Sequence, residues 1–264
     1  MKPFNIEKYK TKLNTSWLGA DLIYKESTAS TNLCLKRLDS QKISHGSVCL
    51  ADYQTRGRGQ YKRNWASEKN KNLMFTIAFK PSSGDRLPLL TLSCALGIAR
   101  AIDEYNIESC EIKWPNDVLI NGKKIAGILT ESVFVGKIPE RVLVGIGLNV
   151  NQLQFGNSVG AEATSLSLEV GEKVMDREEL LCSVLQKIEH LYSRWQRYDP
   201  GLCQDINRRL IGYGEWVGVT LNGSLNGEKF KFLGMNEKGQ CVMLNQDLNV
   251  HTFSYEQIRV FPDR

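Results

Sequence analysis

Apolar residues along the chain keep two rhythms, alternation every second residue and recurrence every third or fourth, and the switches between them mark the elements. Residues 22–26 read as a strand, and Ser30 stands at the N-cap of a helix whose Leu33, Cys34 and Leu38 share a face. Residues 48–53 and 73–79, rich in β-branched and aromatic side chains, are two strands bracketing a polar loop over 54–71. From 87 to 106, Leu89, Leu92, Leu96, Ala99 and Ile102 recur at helical spacing, which predicts a long helix packed on a sheet. Asn121-Gly122 joins strands 117–120 and 124–130 as a hairpin, because this pair readily supplies the two positive φ angles of a type I′ turn. Residues 141–150 add another antiparallel strand.

Asp176 with Glu179 makes a capping box ahead of Leu180, Leu181, Val184, Leu185, Ile188 and Leu191, so an amphipathic helix runs to about Tyr198 and Pro200 marks its end. Beyond Tyr213 the helical period disappears. Short strands at 216–221, 229–233, 241–244, 250–253 and 258–261 alternate with Asn/Gly turns, the pattern of a small β-barrel. The boundary falls near Ile211 to Gly214, which divides the chain into a domain over 1–212 and a second over 213–264.

Composition narrows the class. A chain of 264 residues with 42% hydrophobic and 24% charged residues has the make-up of a folded globular protein and excludes disorder, collagen repeats and a coiled coil. The formal net charge of +5 suits anionic ligands and falls short of a dedicated nucleic-acid binder. Seven cysteines without a C-x-x-C fit no complete disulfide framework and point to a reducing cytoplasm. With three histidines there is no recognisable zinc pattern, so any metal is a hard cation held by carboxylate and phosphate oxygens. The N-terminus lacks an apolar signal region and no run of 18 apolar residues occurs, so neither export by that route nor a membrane span is expected.

Gly57-Arg58-Gly59 and Gly145-Ile146-Gly147 each lack the third glycine of a dinucleotide fingerprint, and no P-loop is present. The loop from Gln54 to Trp65 combines two flexible glycines with Arg56, Arg58, Lys62 and Arg63, and could wrap a phosphate or simply be a solvated basic loop. Lys113-Trp114-Pro115-Asn116-Asp117 crowds a cation, an aromatic, a rigid turn residue, an amide and a carboxylate between two strands. Lys124 follows Lys113 by eleven residues, across a hairpin that could return it to the same side or leave it as an exposed strand end. Glycines 145 and 147 allow close approach of a ligand, or mark a bulge, and Asn149 offers donor and acceptor together. Ser30-Thr31-Asn32 is either a helix cap or a hydrogen-bonding cluster for a neutral ligand such as a ureido ring.

Taken in order, Ser30-Thr31-Asn32, Gln54 with Arg56 to Gly59, Lys113 to Asp117, Lys124 to Glu131 and Gly145 to Asn149 resemble the biotin protein ligases. The most specific part is K-W-P-N-D followed by K-x-A-G-I-L. The resemblance implies an α+β fold akin to class II aminoacyl-tRNA synthetases, with a central mixed, largely antiparallel sheet, helices on one face and a C-terminal SH3-like barrel. It implies a two-step reaction using biotin, ATP and Mg²⁺: biotinyl-5′-AMP forms first, and a lysine of a biotin carboxyl carrier protein then takes the biotinyl group.

By position in that pattern, Ser30, Thr31, Asn32 and Gln54 address the biotin rings, and Gly57, Gly59, Gln60 and Gly127 also belong to the biotin site. Arg58 and Lys124 lie near the biotin carboxylate and the α-phosphate, with Lys113 among the catalytic set. Arg63, Trp65, Asn116 and Asn149 serve the adenylate. A carboxylate attacking a phosphate is a meeting of two anions, and cations placed between them suit that chemistry. Asp117 is the candidate to orient or deprotonate the acceptor lysine, or to contact the metal.

Two departures from the family matter. About twenty residues precede the first strand, too few for a helix-turn-helix, so DNA is not an expected partner. Gln60 stands where many relatives have the last arginine of G-R-G-R, which removes a positive charge beside the intermediate. A homodimer is possible. The alternatives are a lipoate ligase, with the same adenylation logic, and a non-catalytic module binding RNA or a small ligand.

Overall fold

The computed structural model describes residues 1–107, 109–136, 138–156, 163–221 and 223–261, except for the side chains at 62, 138 and 224–226. In chain order the elements are α1 (Ile6–Lys12), β1 (Leu22–Lys25), α2 (Thr31–Arg37), β2 (Ser47–Ala51), β3 (Leu73–Phe79), α3 (Leu87–Ile102), β4 (Cys110–Lys113), β5 (Asp117–Ile120), β6 (Lys123–Val135) and β7 (Ile138–Leu148). There follow α4 (Leu166–Glu169), α5 (Arg177–Gln196), α6 (Gly201–Asn207), β8 (Trp216–Leu221), β9 (Ser224–Met235), β10 (Cys241–Leu244), β11 (Val250–Phe253) and β12 (Ile258–Phe261).

The first seven strands form one mixed sheet in the order β1-β2-β3-β7-β6-β5-β4, in which β1 runs parallel to β2 and every other pair is antiparallel. The α+β architecture expected from the sequence is therefore present. Asn121 and Gly122 turn the β5–β6 hairpin at φ of +49° and +75°, the two positive angles that a type I′ turn requires. The five C-terminal strands make a separate antiparallel sheet in the order β11-β10-β9-β8-β12.

Strand periodicity gives the large sheet two unlike faces. On β3, Phe75, Ile77 and Phe79 enter the main core, and on β7 so do Val142, Val144, Ile146 and Leu148. The long helices α3 and α5 cover this face, packed so closely that a Cβ on Gly97 would stand 2.7 Å from Cγ1 of Ile188. The short α2 lies on the other face, where Leu35 closes a small cluster with Cys49, Ala78 and Leu143. It adds to the expected one-sided helical layer a single helix on the face that carries the site.

Three helices escape the periodicity. α1 buries only Tyr9, so no apolar stripe announces it; it is capped by Asn5, whose side chain accepts from the Lys8 amide, and tied to α5 by Lys12–Glu179 at 3.1 Å. α4 is a single turn, and α6 begins directly after Pro200, which both ends α5 and opens the next helix. Asp176 caps α5 as the pattern required, its side chain accepting from the Glu179 amide at 2.9 Å. Near the N-terminus, the buried pair Arg177–Asp52 at 2.7 Å receives the Phe4 amide at Asp52, and Arg177 also donates to the Lys2 and Asn72 carbonyls. Asp52 and Asn72 flank the polar loop over 54–71, so its two ends are anchored to one guanidinium.

The C-terminal sheet meets the rest of the chain through buried donors. Trp114 Nε1 donates to the Gly239 carbonyl at 3.3 Å, and Arg86 Nε donates to the Glu237 carbonyl at 2.9 Å. Trp114 thus spends its ring on this junction, although it belongs to the K-W-P-N-D segment.

Candidate functional site

The site grows from register. Lys113 is paired with Asp117, Asp117 with Gly127, Gly127 with Gly147, and Gly147 with Met74, so these five positions cross the sheet in one row and share the face away from the main core. The next row carries Leu129, Gly145 and Thr76. Three glycines and a threonine here leave a shallow trough between α2 and the loop over 54–71. The trough has no room for added methyl groups. A Cβ would fall 2.1 Å from Oδ1 of Asn32 at Gly145, 2.3 Å from the Trp65 ring at Gly147, and 2.9 Å from both Lys124 Cε and Trp65 at Gly127.

At one end of the trough stand neutral hydrogen-bonding groups. Gln54 Oε1 accepts from the Thr31 amide at 2.8 Å, and Thr31 Oγ1 lies 2.7 Å from Thr76 Oγ1. Thr76 Oγ1 is also 2.6 Å from Asn32 Oδ1, while Asn32 Nδ2 donates to the Leu129 carbonyl at 3.3 Å and to Glu131 at 2.8 Å. Ser30, Thr31, Asn32 and Thr76 are all buried. Ser30 occupies the N-cap position of α2 without making a side-chain cap bond, so the bland cap reading does not account for it.

The loop between Gly57 and Trp65 folds back as a tight hairpin: Trp65 N donates to the Gly57 carbonyl at 3.0 Å and Gly59 N to the Arg63 carbonyl at 2.7 Å. Gly57 is required by close approach, since a Cβ there would sit 2.4 Å from the Trp65 carbonyl oxygen. Tyr61, at φ +55°, caps the tip and reaches the C-terminal sheet, where the Arg259 guanidinium lies 4.6 Å from its ring centroid. Arg58 Nη2 pairs with Glu131 at 2.8 Å, whereas Arg63 is exposed and Gln60 half-buried on the same hairpin. The Lys62 side chain lies outside the described residues.

At the other end Lys124 Nζ stands 2.6 Å from Asp117 Oδ1 and 5.6 Å from the Trp65 ring centroid. The hairpin does return Lys124 to the Asp117 side. Trp65 lies across Gly127 and Gly147 with Nε1 buried and no hydrogen-bond partner. Asn116 Nδ2 donates to the Ile128 carbonyl at 2.8 Å and the buried Asn149 Nδ2 to the Thr164 carbonyl at 3.0 Å, so each amide also braces the backbone beside the trough.

Arg58 and Lys124 therefore stand over the same face of β6, paired with carboxylates at two stations: Glu131, and Asp117 opposite Gly127. Gly127 and Glu131 are four residues apart, about 13 Å along the strand. The sequence reading put both cations near one pair of reacting anions; in the structure each pairs with a different carboxylate. Among the described residues no group of three His, Cys, Asp or Glu side chains could hold a metal ion alone. A hard cation here would take Asp117 and complete its shell with phosphate oxygens.

Two side chains were not named as site residues from the sequence. Thr76 is the one hydroxyl in Leu73–Phe79, a signal that was available. Glu131 ends the K-x-A-G-I-L-T-E run, and only the fold shows that it joins Asn32 to Arg58.

Comparison with known proteins gives a consistent picture. A model of the "Biotin/lipoate A/B protein ligase family" matches residues 24–149, which span the trough from β1 to Asn149. The bifunctional ligase/repressor BirA of Bacillus subtilis (strain 168) is 33% identical over 246 residues, covering 88% of this chain and 71% of that protein. The biotin--[acetyl-CoA-carboxylase] ligase of Mycobacterium tuberculosis is 30% identical over 215 residues, covering 79% of this chain and 77% of its own length. Among solved structures, the biotin protein ligase from Aquifex aeolicus in complex with biotin and ATP superposes with a TM-score of 0.79 at 28% identity, covering 92% of this chain and 100% of that one.

Proposed function

The chain belongs to the biotin/lipoate A/B protein ligase family, and we propose that it is a biotin protein ligase: it activates biotin with ATP to biotinyl-5′-AMP and passes the biotinyl group to a lysine of a biotin carboxyl carrier protein. The observation that carries this reading is the trough itself. One end of it offers uncharged donors and acceptors suited to a ureido ring, and its far end offers Lys124, with Trp65 lying over the glycines between them.

In the first step the biotin carboxylate attacks the α-phosphorus of ATP and pyrophosphate leaves. Lys124 and Arg58 supply the field that lets two anions meet, exchanging their protein carboxylates for ligand oxygens. Trp65, with its unpartnered Nε1, covers the trough and faces the adenylate, while Asn116, Asn149 and Arg63 line its approach. Gly57, Gly59 and Gln60 bring the loop backbone over biotin. Lys113 shares the row of Asp117 and adds a second cation at that end. Mg²⁺ would supply charge neutralisation on the phosphates, and Asp117 is the carboxylate that would hold it if it does not serve the amine.

In the second step the neutral amine of the carrier lysine attacks the acyl carbon and AMP leaves. Asp117 is the candidate to orient or deprotonate that amine. Among the described residues no helix is long and apolar enough to cross a membrane, and the seven free cysteines fit a reducing cytoplasm.

The test is pyrophosphate release from ATP with biotin, followed by transfer of labelled biotin to a carrier domain. Release that requires biotin, is not supported by lipoate and precedes labelling of one carrier lysine is the expected result. Release with lipoate alone, or none with biotin, contradicts the reading.

A further inference from the structure

The ring of Trp65 stands between the two ends of the trough. Asn32 and the Thr31–Thr76 pair meet the sheet at the row of Gly145, and Lys124 meets it at Gly127. Between them the indole rests on the backbone: a Cβ would fall 2.3 Å from Cε2 and 2.6 Å from Cζ2 at Gly147, and 2.9 Å from Cζ3 at Gly127. Ring and backbone are therefore in contact, and no ligand atom fits between them. A molecule that reaches along the sheet from the neutral groups to Lys124 requires the ring to lift. The indole Nε1 is buried without an acceptor, so lifting it into water or against a ligand oxygen regains a hydrogen bond that this position denies it.

What holds the ring down is the hairpin that carries it. The base of the hairpin is pinned, with Thr55 N and Arg56 N donating to the Thr28 and Ala29 carbonyls at 2.9 Å each. Its tip is Tyr61, whose left-handed backbone at φ +55° is one that a side chain of this size rarely adopts, so contacts must keep it there. They come from the C-terminal sheet: the Arg259 guanidinium lies 4.6 Å from the ring centroid, and the Tyr61 hydroxyl lies 3.5 Å from the Tyr255 carbonyl. Arg259 is itself fixed, its Nη1 donating to the Ile258 carbonyl at 2.8 Å and to the Tyr255 carbonyl. Arg58, paired with Glu131 at 2.8 Å, is a second tie on the same hairpin.

We propose that Trp65 is a gate across the trough, that biotin enters when the hairpin over 57–65 lifts, and that Arg259 is a positioning residue that holds the gate down through Tyr61. This rests on the biotin reading of the same site. The gate sets a rate: only the lifted fraction of the chain takes up ligand, so association is slowed by that fraction. Arg259 touches no ligand in this role. A cation over an aromatic ring at an exposed position shifts such an equilibrium by about threefold.

The test is the association rate of tritiated biotin, followed by rapid filtration beside a thermal melt of each variant. Trp65→Ala is expected to take up biotin about tenfold faster than the parent, and Arg259→Ala and Tyr61→Ala about threefold faster. Tyr61→Phe keeps the ring and is expected to match the parent. Arg259→Ala added to Trp65→Ala is expected to bring no further gain, because the gate is already gone. A folded Trp65→Ala protein that associates no faster than the parent overturns the gate. Parental rates in both Arg259→Ala and Tyr61→Ala, or a gain from Arg259→Ala that persists without Trp65, overturn the role of Arg259. If Trp65→Ala does not fold, Trp65→Leu, which fills less of the trough than the indole, carries the test with the same reading. A parent protein that binds no biotin would instead refute the proposed function.

Discussion

Phe75 and Thr76 are neighbours on β3, both fully buried, and they belong to different problems. Phe75 faces α3 and α5 in a core of large apolar side chains, while Thr76 faces α2 over glycines 145 and 147. The same alternation runs through β6 and β7, so one sheet presents a packed face that holds the fold and a hollowed face that holds the ligand. A strand exposes two faces whatever its sequence. Here one face is filled by large apolar residues, and on the other the glycines let Asn32, Trp65 and Lys124 lie close against the sheet.

The largest effect that should separate the faces is on stability. Phe75→Ala is expected to lower unfolding free energy by about 3–5 kcal/mol, read as a fall in denaturant midpoint, while biotin affinity of the folded fraction stays within about twofold. A comparable loss of affinity without loss of stability would blur the division.

Next in size are the charged residues of the hollow face. Lys124→Ala is expected to slow biotin-dependent pyrophosphate release by about a hundredfold, with an unchanged melt. Asp117→Asn is expected to slow transfer from preformed biotinyl-AMP to the carrier by at least about a hundredfold if its carboxylate is the base. A normal transfer rate would confine Asp117 to holding Lys124.

Smaller is the effect at the rim. Gln60→Arg restores a cation on the loop and is expected to slow release of biotinyl-AMP by about tenfold in the absence of acceptor. Equal release rates would show that position 60 does not gate the intermediate.

Smallest is a pH effect on the packed face. Burial lowers the pKa of His45 from its ordinary value, helped by the nearby Lys80 charge, and its Nδ1 accepts from the Lys80 amide at 3.0 Å, which requires that nitrogen to be unprotonated. With the folded value below the unfolded one, the contribution is present above about pH 6.5 and is lost as pH falls toward the folded value. Melting temperature should therefore drop from pH 7 to 5, and His45→Gln should flatten that slope. An identical slope in the variant would remove His45 as its source.

Strong periodicity made the packed face legible in advance: Leu73–Phe79, the capping box of α5 and the Asn-Gly hairpin each combine a local signal with a tertiary outcome. α1 and α6 were not legible, because α1 packs through one buried ring and α6 is a seven-residue helix hidden behind Pro200. Of the hollow face, the residue types of the motifs could be read, yet their division of labour could not. Trp114 and Trp65 look equally suited to a ligand, and only the fold turns Trp114 to Gly239 and lays Trp65 over Gly147. Glu131 is similarly silent as a letter. Its meaning is a contact with Asn32, ninety-nine positions away in sequence.

The most direct test of the two-faced sheet is biotin calorimetry on Gly145→Ala, whose new methyl group would stand 2.1 Å from Asn32 Oδ1 and displace that side chain. The expected result is a biotin Kd raised by at least about a hundredfold with a melting temperature close to that of the parent. Unchanged biotin affinity in a folded Gly145→Ala protein would contradict the assignment of this face to the ligand.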